Sequence, residues 1–209
     1  MSMPLVHDLI RIAPARISPA CVAEPDWVAR SLEEAPWVVV RRATARLGKM
    51  AVGVRGPARH QRWGGFLDQS QIEQVLAPCA LRSYGVSRAR LQLKAFRSLV
   101  MLEETLDDAG LAWGPGGSVA FEMVSGLPSV NSESDLDVVV RCAEFLDRGR
   151  AKGLLEIVSR APSRVDLRIE TPIGGFALEE YCRPALEAVL VRTATGSFFL
   201  RNPWETEKA

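Results

Sequence analysis

Apolar positions along the chain change period several times, and each change predicts a different element. Residues 1–26 hold no sustained period: Leu5, Leu9, Ile10 and Ile12 could pack, but Pro4, Pro14, Pro19 and Pro25 punctuate a segment that reads as irregular. His7 and Asp8 within it resemble a first-turn helix pair, and a lone histidine there reads as structural. Over residues 25–32, Trp27, Val28, Ser31 and Leu32 fall on one side of a short helix, with Asp26 as its cap. Residues 37–42 and 50–55 are valine-containing runs that predict two strands, joined through a loop containing Gly48 into an antiparallel hairpin. Gly53 inside the second strand signals a bulge or a close backbone approach. Residues 72–80 read as helical, ending near Pro78. Leu91, Leu93, Phe96, Leu99, Val100, Leu102, Leu106 and Leu111 then predict a long helix stopped by Gly110.

Beyond Trp113-Gly114-Pro115-Gly116-Gly117-Ser118, residues 119–126 fit either a helix or a short strand, and residues 127–134 form a polar loop. Residues 135–140 alternate as a strand, so Leu136 and Val138 point into a core while Asp135 and Asp137 share the other face. A helix is expected over residues 143–159, with Phe145, Leu146, Leu154, Leu155 and Val158 on its apolar side. Residues 165–171 form another strand. A tight turn at residues 172–178 leads into a helix-like turn at Glu179-Glu180-Tyr181. Residues 188–192 and 197–201 make a hairpin through Thr195-Gly196. The mixture predicts an α+β fold: a small α+β N-terminal domain over residues 1–86, carrying a basic loop, and a catalytic domain over residues 87–209.

Composition narrows the picture. A chain of 209 residues that is 47% hydrophobic can bury a sizeable core, and a net charge of +1 gives no bulk reason to expect nucleic acid or membrane partners. The cysteines, Cys21, Cys79, Cys142 and Cys182, form no Cys-x-x-Cys pair, and there are only two histidines, so a structural zinc site is not expected. The cysteines read as small apolar fillers in a reducing compartment. No apolar run reaches membrane-spanning length and no secretory signal opens the chain, so the expectation is a soluble, cytoplasmic protein.

The chemistry concentrates in two places. Asp135 and Asp137 project side by side, and two ionised carboxylates about 5 Å apart repel by about 3 kcal/mol at an effective dielectric of about 20. Solvent exposure, a shared proton or a bound cation can relieve this, and Mg²⁺ is commonly held by one or two carboxylates plus substrate phosphates. Asp166, in the alternating run 164–170, is a candidate third carboxylate if its strand lies beside the first. Gly117 and Ser118 offer backbone N–H groups and a hydroxyl for phosphate oxygens. The second place is the basic stretch Arg55, Arg59, His60 and Arg62 beside Gly56-Pro57, with Arg41 and Arg42 on the preceding strand. Guanidinium groups grip phosphates bidentately, though scattered loop charge explains the same residues without a ligand. Trp63 or Trp113 could offer a stacking surface or belong to the core.

Together Gly117-Ser118, Asp135-Leu136-Asp137 and Asp166 resemble the DNA polymerase β-like nucleotidyltransferase superfamily. A closer resemblance spans nearly the whole chain. It rests on Trp37-Val38-Val39-Val40-Arg41-Arg42, Val52-Gly53-Val54-Arg55-Gly56 with Gln61-Arg62, Trp113 through Glu122, Ser134-Asp135-Leu136-Asp137, and Thr171-Pro172-Ile173-Gly174-Gly175 through Glu179. These residues look like the malonate decarboxylase holo-acyl-carrier-protein synthases, also called phosphoribosyl-dephospho-CoA transferases. The resemblance implies a nucleotidyltransferase-type mixed sheet and an enzyme that moves 2′-(5-phosphoribosyl)-3′-dephospho-CoA from its triphosphate precursor to a serine of the apo acyl carrier subunit. It implies Mg²⁺ or Mn²⁺ held by Asp135, Asp137 and Asp166, with Asp166 near the nucleophile. Gly117 and Ser118 would orient the triphosphate and Arg55, Arg59 and Arg62 would neutralise it. Rival readings are a nucleotidyltransferase using an ordinary nucleoside triphosphate on a protein, small molecule or RNA end, and a non-catalytic module that binds a carrier protein.

Overall fold

The computed structural model of the protein describes residues 3–13, 17–20, 23–45, 47–183 and 187–205. Pro14 and Cys21, read above as a breaker and a core filler, lie outside the described residues. Two six-stranded sheets organise the chain, with helices packed on them, an α+β architecture. The first sheet is built from β1 (Leu9–Ile12), β2 (Ser18–Pro19), β3 (Trp37–Val40), β4 (Lys49–Arg55), β5 (Arg62–Asp68) and β6 (Ile72–Leu76), with helix α1 (Asp26–Glu34) between β2 and β3. Its strands run antiparallel in the order β2-β5-β4-β3-β1-β6. Alternation assigns its faces. Ile10, Ile12, Val38, Val40, Met50, Val52, Val54 and Leu67 form a core with Val28 of α1. The other face presents Leu9, Trp37, Val39, Gly53, Arg55, Arg62 and Gly64 to the C-terminal half.

The second half contains α2 (Pro78–Leu81), α3 (Lys94–Asp108), β7 (Ala112–Pro115), α4 (Gly117–Ser125), β8 (Leu136–Arg141), α5 (Arg148–Val158), β9 (Val165–Glu170), β10 (Gly175–Ala177), α6 (Leu178–Tyr181), β11 (Val189–Arg192) and β12 (Ser197–Leu200). Strands β7 to β12 lie in sequence order, and β8 and β9 are parallel while the other pairs are antiparallel. Leu136, Val138 and Val140 of β8 and Leu167 and Ile169 of β9 pack against Phe96, Leu99, Leu102 and Leu106 of α3 and Leu154 and Val158 of α5. Each such side chain contributes about 1.5–3 kcal/mol on burial. The opposite face is polar apart from Val139: Asp137, Val139 and Arg141 stand directly beside Asp166, Arg168 and Glu170.

The two halves meet through an apolar seam and a set of ion pairs. Leu9, Trp37, Leu76 and Leu81 pack against Ala120 of α4. Glu170 accepts a hydrogen bond from His7 Nε2 at 2.9 Å and a second from Arg42, and buried Asp8 pairs with Arg141. Asp8 also accepts the Leu5 N–H at 2.8 Å, which closes the turn that His7 completes at φ +73°.

Several local expectations change. The supposedly irregular first segment supplies β1, which sits between β3 and β6 and bonds to both. Four residues of alternation are too few to announce a strand locally; the partners on either side make it one. The helix read over residues 72–80 is instead strand β6 followed by the short helix α2. Ile72, Val75 and Leu76 have helical spacing, but a five-residue stretch before Pro78 is too short to hold a helix, and β1 offers a ladder. The helix read over residues 143–159 begins at Arg148, because the Asp147 side chain accepts the N–H groups of Gly149 and Arg150. Phe145 is left exposed, against the edge of Trp204. Asp26 opens α1 without a side-chain cap bond. Of residues 119–126, open between a helix and a strand, residues 119–125 belong to α4 and Gly126 caps it. Cys182 is buried as a filler should be, whereas Cys79 is exposed. Trp113 is a core residue, with Nε1 donating to Asp107 at 2.8 Å. Among the described residues no helix is long and apolar enough to cross a membrane.

Candidate active site

A cleft of about 620 Å³ opens between the halves. Its C-terminal wall is the start of α4 and the approach to β8: Gly116, Gly117, Ser118, Ser129, Asn131, Ser134, Asp135 and Asp137. The turn before α4 is fastened to Asp137. Gly116 N–H donates to the Asp137 carbonyl at 2.8 Å. Gly117 has φ +55°, and a Cβ there would stand 1.8 Å from Asp137 Oδ2. Both facts require glycine: one by backbone conformation, the other because the carboxylate occupies the space a side chain would take. Among the described residues the Ser118 hydroxyl has no hydrogen-bond partner, so it stays available to the cleft. The first N–H groups of α4 have no intrahelical acceptors and add donors beside it.

Asp137 and Asp166 are paired residues of parallel neighbours, so their side chains leave the sheet together. Burial raises the Asp137 pKa above the ordinary carboxylate value, and the charges of Asp166 and Asp135 push it further; Arg168 and His7 oppose them. Asp135, half-exposed at the mouth, faces Arg59 at 4.0 Å.

The opposite wall is basic. Arg55 and Arg62 sit directly across from each other on β4 and β5, an arrangement that destabilises a sheet unless an anion lies between the charges. Burial, then Arg62, lowers the Arg55 pKa to about 10; burial, then Arg59, lowers that of Arg62. Arg55 donates to the Ser129 carbonyl at 3.2 Å, and its buried Nε has no hydrogen-bond partner among the described residues. Asp135, Asp137, Gly117, Ser118, Arg55, Arg59 and Arg62 therefore line one cleft. Asp166 is beside it, with its carboxylate accepting from Arg168 at 2.8 Å rather than lining the wall.

Comparison with known proteins is unambiguous about kinship. Residues 80–203 match the family model described as phosphoribosyl-dephospho-CoA transferase MdcG C-terminal domain, and residues 5–78 match the corresponding N-terminal domain. The chain belongs to this family. As a member it is an enzyme of the transferase class. A phosphoribosyl-dephospho-CoA transferase of Pseudomonas putida (strain W619) is 37% identical over 98% of this chain and 97% of its own length. Relatives of the same name from Pseudomonas aeruginosa and Azotobacter vinelandii are 38% and 35% identical, over 96% and 97% of this chain and 94% and 95% of their own lengths. No solved structure matches the chain.

A divalent ion suits part of this site. The donor set is all carboxylate oxygen, and burial together with the charges of Asp166 and Asp135 makes the ionised form of Asp137 costly, a cost that a cation would offset. The fit is to two carboxylates, Asp135 and Asp137, with substrate oxygens completing the shell. Among the described residues no three His, Cys, Asp or Glu side chains gather closely enough to hold a metal by themselves.

The fold also brings in residues that sequence reading did not assign to the site. Glu122, buried on α4, takes Arg90 in two bonds at 2.6 and 2.9 Å and the N–H groups of Ser129 and Val130 at 2.8 Å each. Arg90 also donates to the Val130 carbonyl at 2.8 Å. This hub fixes the loop that delivers Asp135 and holds the acceptor of Arg55. Its signal in the sequence is a single acid inside the apolar run Val119-Ala120-Phe121-Glu122-Met123-Val124.

Proposed function

We propose that this protein transfers 2′-(5-phosphoribosyl)-3′-dephospho-CoA from its triphosphate precursor to a serine of the apo acyl carrier subunit of malonate decarboxylase. Pyrophosphate leaves, and the setting is the cytoplasm. The proposal treats residues 1–86 as a substrate-covering domain and residues 87–209 as the catalytic domain. The observation that carries it is Asp137 pressed against the Gly116–Gly117 turn and facing a wall of arginines across the cleft.

The serine Oγ forms a bond to the α-phosphorus, the bond from that phosphorus to the oxygen bridging the β-phosphate breaks, and pyrophosphate departs with that oxygen. The product is a phosphodiester. The first N–H groups of α4 and the Ser118 hydroxyl orient the phosphate chain. Arg55, Arg59 and Arg62 offset its charge, which grows on the leaving group as the bond breaks. Asp166 receives the serine proton. Asp135 and Asp137 would hold Mg²⁺ or Mn²⁺, which when bound screens the phosphates and makes the hydroxyl easier to ionise.

The test is direct. Purified protein, the triphosphate donor, apo carrier subunit and Mg²⁺ should give a carrier whose mass rises by the phosphoribosyl-dephospho-CoA group, with one pyrophosphate per carrier. Modification with ATP or CTP in place of that donor, and none with the donor itself, would reject the proposal in favour of an ordinary nucleotidyltransferase.

A further inference from the structure

One arginine of the cleft has no role in the reaction just described. Arg41 follows β3, and its side chain runs across the face of the first sheet toward β5. Two glycines let it do so: Gly53 of β4 pairs directly with Gly64 of β5. A Cβ at Gly53 would stand 3.1 Å from Arg41 Cδ, and one at Gly64 would stand 1.8 Å from Nη1 and 2.8 Å from Cζ. The guanidinium therefore rests on bare backbone. Among the described residues it has neither a hydrogen-bond nor an ion-pair partner, and it lines the cleft with Val39, Gly53 and Gly64. Facing glycines weaken a strand pair. Here they seat a cation that bonds to none of the described residues.

The seat is separate from the catalytic arginines. The Gly53–Gly64 row lies two residues from the Arg55–Arg62 row on both strands, about 7 Å along the sheet. Arg41 is absent from the leading charges that act on Asp137 and on Arg55. The cleft thus has two cationic stations on one floor. A donor built on dephospho-CoA likewise has two separated anionic groups: the triphosphate at its reacting end, and the diphosphate that joins adenosine to pantetheine.

We propose that Arg41, seated on Gly53 and Gly64, is the binding residue for the diphosphate of the dephospho-CoA part of the donor. This rests on the function proposed above and adds a subsite to it. Arg55, Arg59 and Arg62 then serve the triphosphate alone.

Calorimetric titration of the full-length protein with dephospho-CoA and, separately, with inorganic triphosphate tests the division. Arg41→Ala and the longer, uncharged Arg41→Gln should both weaken dephospho-CoA binding by about 10- to 100-fold, the range for a hydrogen-bonded charge. Both should leave triphosphate binding unchanged, and Arg62→Ala should show the reverse pattern. In turnover the Arg41 variants should raise KM for the donor and keep kcat. Unaltered dephospho-CoA binding in the Arg41 variants, or equal weakening of both ligands, overturns the subsite and leaves the proposed function standing. A wild-type protein that binds neither ligand overturns both.

Discussion

Glu170 of β9 and Asp137 of β8 leave the same face of the same sheet, on neighbouring strands, and both face the N-terminal half. Around Glu170 that half supplies His7 and Arg42 in direct contact. Burial alone would raise the Glu170 pKa, yet the hydrogen bonds from His7 and Arg42 outweigh it and hold the carboxyl below its usual value. Among the described residues no side chain of that half bonds directly to the Asp137 carboxylate, and the charges of Arg168 and His7 only partly offset what raises its pKa. Burial, Asp166 and Asp135 all act in one direction. The facing arginines are turned to backbone carbonyls instead, Arg55 to Ser129 and Arg62 to Gln61. One acid is a finished joint between the halves. The other is an electrostatic vacancy that a phosphate chain with its counter-ion would complete. Similar side chains on one surface thus separate into scaffold and candidate site according to whether the protein itself satisfies them.

The contrast can be broken at either acid. Asp137→Asn should cut transfer by about 10³-fold, as removal of one central electrostatic group does. The same variant should not lose thermal stability when no divalent ion is present. A raised folded pKa means that the ionised form is disfavoured in the fold: the cost appears as pH rises from 3.8 and is fully present once pH exceeds the folded value. A variant that turns over normally, or melts well below the wild type, contradicts the contrast.

Glu170→Ala should act on stability instead, by about 3 kcal/mol in urea denaturation at neutral pH, because it strands His7 and Arg42. Its pH signature has the opposite sign. A depressed folded pKa contributes stability above the unfolded value of about 4.5 and loses it as pH falls through the folded value. The wild type should therefore weaken below about pH 4.5 more steeply than the variant, and equal acid slopes would remove Glu170 from the joint.

Gly117→Ala should lower turnover by about 100-fold, since a 1.8 Å contact must push the Asp137 carboxylate aside. Backbone strain at φ +55° adds about 1–2 kcal/mol of destabilisation. Crystals of the variant with Asp137 unmoved would separate the glycine from the site. Arg62→Ala has the mildest effect. It should raise KM for the triphosphate donor about 10-fold, with stability unchanged or slightly improved, because it relieves the repulsion with Arg55. A KM equal to that of the wild type would detach Arg62 from the phosphates.

Much of the lining of the candidate site was legible in the sequence for one reason. Asp135, Asp137, Gly117, Ser118 and the arginines at 55, 59 and 62 belong to short motifs whose chemistry is carried by residue type and close spacing. His7 shows the opposite case. It reads as a lone histidine in a proline-rich segment, yet it bonds to a glutamate 163 positions away. Arg41 reads as one basic residue at a strand end, and its seat depends on glycines contributed by two other strands. No local period encodes either relationship.

The period-2 alternation of residues 135–140 and 165–170 was enough to say which side chains go to the core and which leave it, because a strand's geometry assigns faces without help from its neighbours. The α+β class and the hairpins followed from the same local rule. The pairing of Asp137 with Asp166, the contact of Gly117 with Asp137, the insertion of β1 between β3 and β6, and the opposition of Arg55 to Arg62 were decided only in three dimensions. Register and close packing depend on burying both sheets at once, and that condition is a property of the whole chain.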